Sequence, residues 1–312
     1  MRGKWLARHH RAAPTRHAPQ LWRIRRISCA AWRRRPDCRC TRRVTRLRSI
    51  VNASETSAAD SLYDGQSAES LAVLLSLPRV IIFDDLPSTL DVAHDLGEKG
   101  AEAGTLILAD AQSAGRGRMG RVWRSDPGAG IWLTLLERPA GDESLGVLAL
   151  RLALAVAPAL DAFSVDPVAL KWPNDLYVAG RKLAGILIEA RWHGPRLDWL
   201  AVGAGINMRV PDGLEVAGLA DGTDRVSVLR AIIPALRTAV ATRGLLTREE
   251  LRRYALRDFA ARRRCTSPAE GIVAGIDAAG SLLVDTAQGR TASRAGSLIL
   301  APTDTHSLGD SA

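Results

Sequence analysis

KWPNDLYVAGRKLAGILIE, residues 171–189, is the stretch that decides how this sequence folds. Pro173 stiffens a polar turn, and the apolar runs on either side of residues 179–180 predict two antiparallel strands joined by a tight turn. Two of the four lysines in the chain, Lys171 and Lys182, lie here, whereas the other 39 of the 43 basic residues are arginines. A compact ammonium suits a site that neutralises phosphoryl or carboxylate oxygens. The alternative is an ordinary hairpin with surface lysines.

A second unusual stretch is QSAGRGRMGRVW, residues 112–123, which we name the glycine–arginine loop. Its glycines let the backbone approach a ligand closely, and its guanidinium groups can bind phosphate or carboxylate through paired hydrogen bonds. The glycine spacing matches a dinucleotide fingerprint, but residues 121–130 contain a proline and two glycines and cannot form the helix that such a fingerprint must open. A solvated basic loop is the remaining alternative.

The third stretch is GAGINM, residues 203–208, at the end of a predicted strand. The amide of Asn207 there could read an adenine edge or cap a turn. No Walker-type phosphate-binding loop occurs anywhere in the sequence, so a nucleotide would have to be bound in another way.

In this order and spacing, the motifs GRGRMGR, KWPNDLY, RKLAGILIE and GAGIN resemble those of the biotin protein ligases over about residues 80–303. The resemblance implies an α+β fold with a mixed central sheet flanked by helices, like that of class II aminoacyl-tRNA synthetases and biotin ligases, and a small C-terminal SH3-like β-barrel. It also implies a two-step reaction. Biotin and ATP, with Mg²⁺ carried by the nucleotide, form biotinyl-5′-AMP. A lysine of a biotin carboxyl carrier domain, from acetyl-CoA carboxylase or a related carboxylase, then accepts the biotin.

The resemblance also implies roles for individual residues. The residues expected to act in the chemistry are Lys182, Arg118 and Asp175. Those expected to bind biotin are Ser88, Thr89, Gln112, Gly115, Arg116, Gly117, Arg118, Lys182 and Gly185. Those expected to bind ATP are Arg121, Trp123, Lys171, Asn174 and Asn207. The glycine–arginine loop is expected to close over the adenylate, which otherwise reacts with water or with any nearby amine.

The sequence departs from the family pattern at two places. Leu90 stands where the family usually has asparagine after a Ser-Thr pair, which removes one polar contact near the ureido head of biotin. The segment AGSLILAPTD, residues 295–304, lacks the acidic and arginine residues that relatives often have there. We therefore expect no ATP contact from the C-terminal β module.

The composition changes along the chain and predicts three parts. Residues 1–78 are predicted to be a basic, disordered or spurious extension, residues 79–263 the catalytic domain, and residues 264–303 the β module, because short alternating runs broken by turn signals fill this last part. Residues 52–78 are too short and too rich in serine and alanine for a winged-helix domain. We therefore expect a ligase with no repressor role and no specific DNA binding, and the resemblance also allows a homodimer.

The net charge of +10 is unevenly distributed along the chain. Residues 1–50 hold 16 of the 43 basic residues and one of the 33 acidic ones, so the remainder is mildly acidic. This segment could be spurious, a targeting peptide or a nucleic-acid-binding arm, and its Cys38 and Cys40 lack the second pair that a zinc site needs. Outside it only Cys265 remains, which favours a reducing cytoplasm. Nothing in the chain is long and apolar enough to predict a membrane span.

Two other functions stay open as alternatives. A lipoate ligase or octanoyl transferase shares the expected catalytic fold, but we would not expect it to keep KWPND together with RKLAGI. A nucleic-acid-binding protein driven by residues 1–50 is the alternative from a class other than enzymes.

Overall fold

The computed structural model describes residues 61–210 and 213–302. Its helices are α1 (Ala68–Leu75), α2 (Thr89–Glu98), α3 (Leu148–Asp161), α4 (Arg225–Ala241) and α5 (Arg248–Arg257). Its strands are β1 (Arg79–Leu86), β2 (Thr105–Gln112), β3 (Gly130–Glu137), β4 (Ala169–Lys171), β5 (Asp175–Val178), β6 (Arg181–His193), β7 (Arg196–Asn207), β8 (Arg264–Ser267), β9 (Gly271–Ile276), β10 (Leu282–Thr286), β11 (Gly289–Ser293) and β12 (Ile299–Leu300). Within the described ranges, no helix has both the length and the apolar character to cross a bilayer.

Seven strands form a central mixed sheet in the order β1-β2-β3-β7-β6-β5-β4. The pair β1 and β2 is parallel, and every other neighbouring pair is antiparallel. Helices flank this sheet, so the predicted α+β class with a mixed central sheet is confirmed. Our predictions for residues 1–60, including those for the basic segment and its cysteines, lie outside the described residues.

The central sheet is covered on both faces, and the covers differ. Successive strand residues point to opposite faces, so Val80 and Ile82 pack with α1, α3 and α4 on one side, whereas Ile81 and Phe83 pack with α2 on the other. Among the described residues, the second face carries one helix, α2. The room that this leaves beside α2 is where the glycine–arginine loop lies.

The hairpin predicted over residues 171–189 is present and turns where expected. Ala179 has a φ of 47° and Gly180 a φ of 77°, so both residues adopt the left-handed conformation that a two-residue type I′ turn requires. The turn sets Val178 opposite Arg181, and a bulge with Leu183 as the extra residue follows in β6. This local register brings the side chains of the motif to one end of the sheet.

Two sequence-based boundaries are corrected. Residues 61–78 were predicted to belong to the extension, but Tyr63 and Leu71 are fully buried, so the ordered fold begins before residue 79. The apolar character of residues 142–163 predicts one long helix, but α3 begins only at Leu148, because the preceding residues form hydrogen-bonded turns. Apolar content alone did not reveal those turns.

The C-terminal β module is a five-stranded antiparallel sheet in the order β11-β10-β9-β8-β12. The sheet is open, so the closed SH3-like barrel stays a prediction. It contacts the catalytic domain closely, since the Trp172 indole donates to the Gly280 carbonyl at 3.0 Å and the Leu246 amide donates to the Ala278 carbonyl at 2.9 Å. The module can therefore contribute residues to a site on the catalytic domain.

Candidate active site

A cleft of about 250 Å³ lies between the sheet, α2, the glycine–arginine loop and the C-terminal module. The sequence-predicted site residues that line it are Ser88, Thr89, Gln112, Arg116, Gly117, Arg118, Arg121, Trp123, Lys171, Asn174, Asp175, Lys182 and Gly185. Residues up to 97 positions apart in sequence therefore come together in one cavity.

Two predicted site residues lie behind the cleft and do not line it. A Cβ at Gly115 would come within 2.5 Å of the Trp123 carbonyl oxygen, so this glycine allows the two arms of the loop to pack. The Asn207 amide is buried and donates to the carbonyls of Ala217 at 3.1 Å and Lys182 at 3.4 Å. These placements support positioning roles and give no support to the predicted contacts of Gly115 with biotin and of Asn207 with adenine.

The inner end of the cleft is neutral and polar. The Gln112 side-chain oxygen accepts hydrogen bonds from the Thr89 amide at 2.9 Å and from the Thr89 hydroxyl at 3.2 Å. The Gln112 nitrogen donates to Ser125 Oγ at 2.9 Å, and Thr134 donates to the Thr89 hydroxyl at 2.8 Å. Ser88 is the N-cap residue of α2, yet its hydroxyl makes no capping hydrogen bond. This end offers oriented donors and acceptors without a net charge.

The middle of the cleft is apolar and depends on glycines. A Cβ at Gly205 would lie 2.6 Å from Trp123 Nε1, and one at Gly185 would lie 3.1 Å from Trp123 Cζ3. Only glycine therefore lets the indole lie flat on β6 and β7. Leu90 reaches the same floor beside Gly203. The Trp123 indole nitrogen is buried, and no residue in the described part of the chain accepts a hydrogen bond from it.

The outer end of the cleft is charged. Lys182 Nζ lies 2.8 Å from Asp175 Oδ1, across the β5–β6 hairpin, and 5.0 Å from the Trp123 ring centroid. Burial lowers the pKa of Lys171, Asp175 opposes this shift, and Lys182 adds to it. Lys171 also donates to the Tyr177 hydroxyl at 3.3 Å. Two ammonium groups thus share one carboxylate, which leaves a local excess of positive charge for an anion.

The glycine–arginine loop is itself a hairpin whose arms are joined by backbone hydrogen bonds. The Trp123 amide donates to the Gly115 carbonyl and the Gly117 amide donates to the Arg121 carbonyl. Its tip is a short 3-10 turn in which Met119 has a φ of 60° and is 78% exposed. This geometry places the arginines of the loop over the cleft.

The tip of the loop is held by the C-terminal module. Arg118 donates to the Gly296 carbonyl at 3.1 Å and to Asn174 Oδ1 at 3.3 Å, and Arg121 donates to Ser297 Oγ at 2.8 Å. Burial lowers the pKa of Arg118, while Asp175 opposes the shift and Arg121 adds to it. The contacts with the module were not expected from the sequence, which gave no sign that residues 296–297 approach the loop.

Other lining residues were missed but carried a signal. Leu187, Gly203, Ala204 and Gly205 line the cleft. Alternation along β6 places Leu187 on the same face as Gly185, and Gly203 and Gly205 share a face of β7. Applying the strand period to the quoted motifs would have found Leu187, Gly203 and Gly205, whereas Ala204 lies between two residues of that face and would have been missed.

A resident metal centre is not evident at the cleft. Across the described ranges, no three His, Cys, Asp or Glu side chains are close enough together to hold a metal ion. Among the described residues that line the cleft, Asp175 is the single carboxylate, and it already pairs with Lys182. Such a donor set fits Mg²⁺ only when most ligands come from water and a nucleotide.

Comparison with known proteins agrees with this geometry. Residues 80–207 match the model of the biotin/lipoate A/B protein ligase family. The bifunctional ligase/repressor BirA of Bacillus subtilis is 40% identical over 131 residues, which cover 42% of this chain and 40% of that protein. The biotin–acetyl-CoA-carboxylase ligase of Paracoccus denitrificans is 40% identical over 113 residues, which cover 35% of this chain and 46% of that protein. The matched region thus spans less than half the length of these relatives.

A solved structure extends the likeness beyond the matched segment. The biotin protein ligase of Aquifex aeolicus, in complex with biotin and ATP, superposes with a TM-score of 0.60 at 27% identity. The superposition covers 72% of this chain and 99% of that one. Over residues 80–207 the chain is therefore similar to the biotin/lipoate A/B protein ligase family, and the relatives and the solved structure that it matches carry the names of biotin ligases.

Proposed function

We propose that this chain is an ATP-dependent ligase that activates biotin as biotinyl-5′-AMP and transfers it to a lysine of a biotin carboxyl carrier domain. The chemistry of the three zones of the cleft carries the proposal. One cleft combines neutral polar groups at Thr89 and Gln112, the apolar surface under Trp123 and the ammonium of Lys182, which lies 5.0 Å from the Trp123 ring centroid. Biotin presents the matching groups: a neutral ureido head, an apolar chain and a carboxylate.

In the first step, a biotin carboxylate oxygen attacks the α-phosphorus of ATP. A carbon–oxygen–phosphorus linkage forms, the bond from the α-phosphorus to the bridging oxygen breaks, and pyrophosphate leaves with that bonding pair. Lys182 is placed to neutralise the carboxylate as it approaches and the phosphoryl oxygens as they gain charge. Asp175 holds the ammonium at 2.8 Å and limits its motion.

ATP would occupy the outer end of the cleft, where Lys171, Asn174 and Arg121 lie. The protein contributes one carboxylate there, so Mg²⁺ enters as part of the nucleotide substrate, with phosphate and water oxygens as most of its ligands. Arg118 and Arg121 cover this end from the loop.

In the second step, a neutral lysine amine of the carrier attacks the acyl carbon of the adenylate. A carbon–nitrogen bond forms, the carbon–oxygen bond to AMP breaks, and the attacking amine loses a proton. The glycine–arginine loop must exclude water until the carrier arrives, because the mixed anhydride hydrolyses readily. The loop fits this task because its tip closes on the C-terminal module.

Biotin-dependent exchange between radiolabelled pyrophosphate and ATP tests the first step directly. We expect exchange with biotin and none with lipoate or octanoate, because the polar groups at Thr89 and Gln112 have no partner on an alkyl chain. Exchange with lipoate or octanoate alone would favour the other branch of the family. Transfer is then tested with a purified carrier domain and avidin blotting, with the acceptor lysine replaced as the control.

Three finer expectations stay predictions. The chain is expected to lack a repressor role, to allow a homodimer and to act in the cytoplasm. A gel-shift assay with genomic DNA fragments, light scattering in the presence and absence of biotin and ATP, and cell fractionation test them separately.

A further inference from the structure

The guanidinium of Arg116 lies at the base of the glycine–arginine loop and is held by two carboxylates. Arg116 Nη1 lies 2.7 Å from Asp91 Oδ1, and Arg116 Nε donates to Glu189 Oε1 at 3.3 Å. Arg116 lines the cleft, but neither carboxylate does. Its charge is thus already compensated within the protein.

Behind Glu189 lies a second layer of hydrogen bonds. The Trp199 indole donates to His94 Nδ1 at 3.1 Å, and His94 Nε2 lies 2.8 Å from Glu189 Oε2. An indole N–H can only donate, so Nδ1 must be the acceptor and Nε2 must carry the proton. His94 therefore donates to Glu189 and fixes the orientation of its carboxylate. Both rings are buried.

The charge of Glu189 follows from these contacts. Burial opposes its ionisation, but the hydrogen bond from His94 and the positive charge of Arg116 outweigh burial and hold the pKa of Glu189 at about 2. The carboxylate is accordingly ionised at neutral pH and available as an anchor for the guanidinium.

These residues, which we name the Arg116 network, join separate walls of the cleft. Asp91 and His94 are on α2, which begins at the cleft residue Thr89. Glu189 is on β6, two positions beyond the cleft residue Leu187. The base of the loop is therefore held by the catalytic domain, whereas its tip is held by the C-terminal module.

We propose that Glu189, oriented by His94 and Trp199, is a positioning residue that holds the base of the glycine–arginine loop through Arg116. Retention of the adenylate would then depend on Arg116 as a loop anchor, with Arg118 and Arg121 as the arginines that face the ligand. The part that concerns the adenylate rests on the proposed ligase function, and the part that concerns loop anchoring does not.

The test compares Glu189→Gln with Asp198→Asn. Asp198 pairs with Arg138 at 3.1 Å, and the side chains of both pairs are 27–30% exposed, so the two changes remove equivalent carboxylate charges. Only Glu189 touches the loop. Trypsin cleaves after arginine, so cleavage at Arg118 and Arg121 in the native protein reports on loop opening whether or not the protein is active.

We expect Glu189→Gln to speed trypsin cleavage of the loop about tenfold, which corresponds to about 1.4 kcal/mol. Release of preformed radiolabelled adenylate should rise by a similar factor. Asp198→Asn should change neither rate. Equal cleavage rates in the two variants would overturn the anchor. If Glu189→Gln is cleaved faster but the parent protein shows no biotin-dependent pyrophosphate exchange, the anchoring role stands and the ligase function is rejected.

A double-mutant comparison separates anchoring from a general structural role. In an Arg116→Met background the guanidinium is gone, so Glu189→Gln should add nothing to the rate of loop cleavage. A further increase in the double variant would show that Glu189 acts on the loop by a route other than Arg116, and would also overturn the proposal.

Discussion

The ammonium of Lys182 and the carboxylate of Asp175 form an ion pair at 2.8 Å across the β5–β6 hairpin. The pair depends on the tight turn, because the positive φ values of Ala179 and Gly180 set the register that brings β6 back beside β5. Lys182 also lies over the Trp123 ring, so its Nζ is restrained from two sides. A restrained cation needs little reorganisation when charge develops on a phosphoryl group.

Lys182→Ala is therefore expected to slow adenylate formation by about 10²–10³-fold, the usual effect of removing a group that stabilises developing charge. Pyrophosphate exchange measures this step. When the variant is supplied with synthetic biotinyl-5′-AMP, transfer to the carrier should recover most of its rate. Lys99→Ala is the matched control, since Lys99 is exposed at the end of α2. Equal losses in both half-reactions would assign Lys182 a structural role.

Arg118→Gly tests the tip of the loop. The change removes the hydrogen bonds of Arg118 to Gly296 and Asn174 together with any contact to the adenylate. A charge-assisted contact contributes about 1.5–3 kcal/mol, so adenylate escape should rise by about 10–150-fold. The variant incubated with biotin, ATP, the carrier domain and bovine serum albumin should label the albumin as well as the carrier.

The control for this experiment is Arg243→Gly, because Arg243 is exposed in a loop outside the cleft. That variant should label only the carrier. If Arg118→Gly makes adenylate but also labels only the carrier, then retention depends on other arginines of the loop.

Local chemistry explains what could be predicted from the sequence. The β5–β6 hairpin follows from one turn and its flanking alternation, and that motif alone places Lys182, Asp175 and Gly185 together. Ser88 and Thr89 at the start of α2 were expected from the motif resemblance. These predictions needed only interactions between residues close in the chain or a motif resemblance.

Contacts between distant segments explain what could not be predicted. Arg118 meets Gly296 across 178 residues, and Arg116 meets Glu189 across 73. The sequence pattern around one residue of such a pair does not indicate the other. These pairs form only when segments that are distant in the chain pack together. The predicted adenine contact of Asn207 gains no support for a related reason, since its amide donates to the backbone carbonyls of residues 182 and 217.

Gly205→Ala is expected to weaken biotin binding without unfolding the protein. The new Cβ would lie 2.6 Å from Trp123 Nε1, so the indole must move into the space reserved for the apolar part of the substrate. Overpacking of this kind costs about 1–3 kcal/mol, and the KM for biotin should rise by about tenfold or more. Gly146→Ala is the control, because a Cβ there meets nothing within 4 Å.

A second change tests the mechanism of the Gly205 effect. Trp123→Phe replaces the indole that the new methyl group displaces with a smaller ring. The double variant Trp123→Phe, Gly205→Ala should therefore regain part of the affinity for biotin that Gly205→Ala loses. A double variant that binds biotin more weakly than the sum of both single effects would show that the clash with Trp123 is not the cause.

Asp258→Asn is expected to stabilise the protein at neutral pH and to have little effect in acid. Burial raises the pKa of Asp258 from 3.8 to about 6, although a hydrogen bond from the Ala260 amide opposes the shift. The Asp258 carboxyl thus ionises at lower pH in the unfolded chain than in the folded one. The parent protein therefore loses stability as the pH rises from about 4 to about 6. Asparagine keeps an acceptor for Ala260 without the charge. The free energy of unfolding of Asp258→Asn, measured in urea, should therefore exceed that of the parent by an amount that grows over that interval. The difference should level off above about pH 6, at about 1–3 kcal/mol. Asp221→Asn at an exposed site should show no such trend, and a gain for Asp258→Asn that is the same at about pH 4 and pH 8 would mean that the buried charge is not its source.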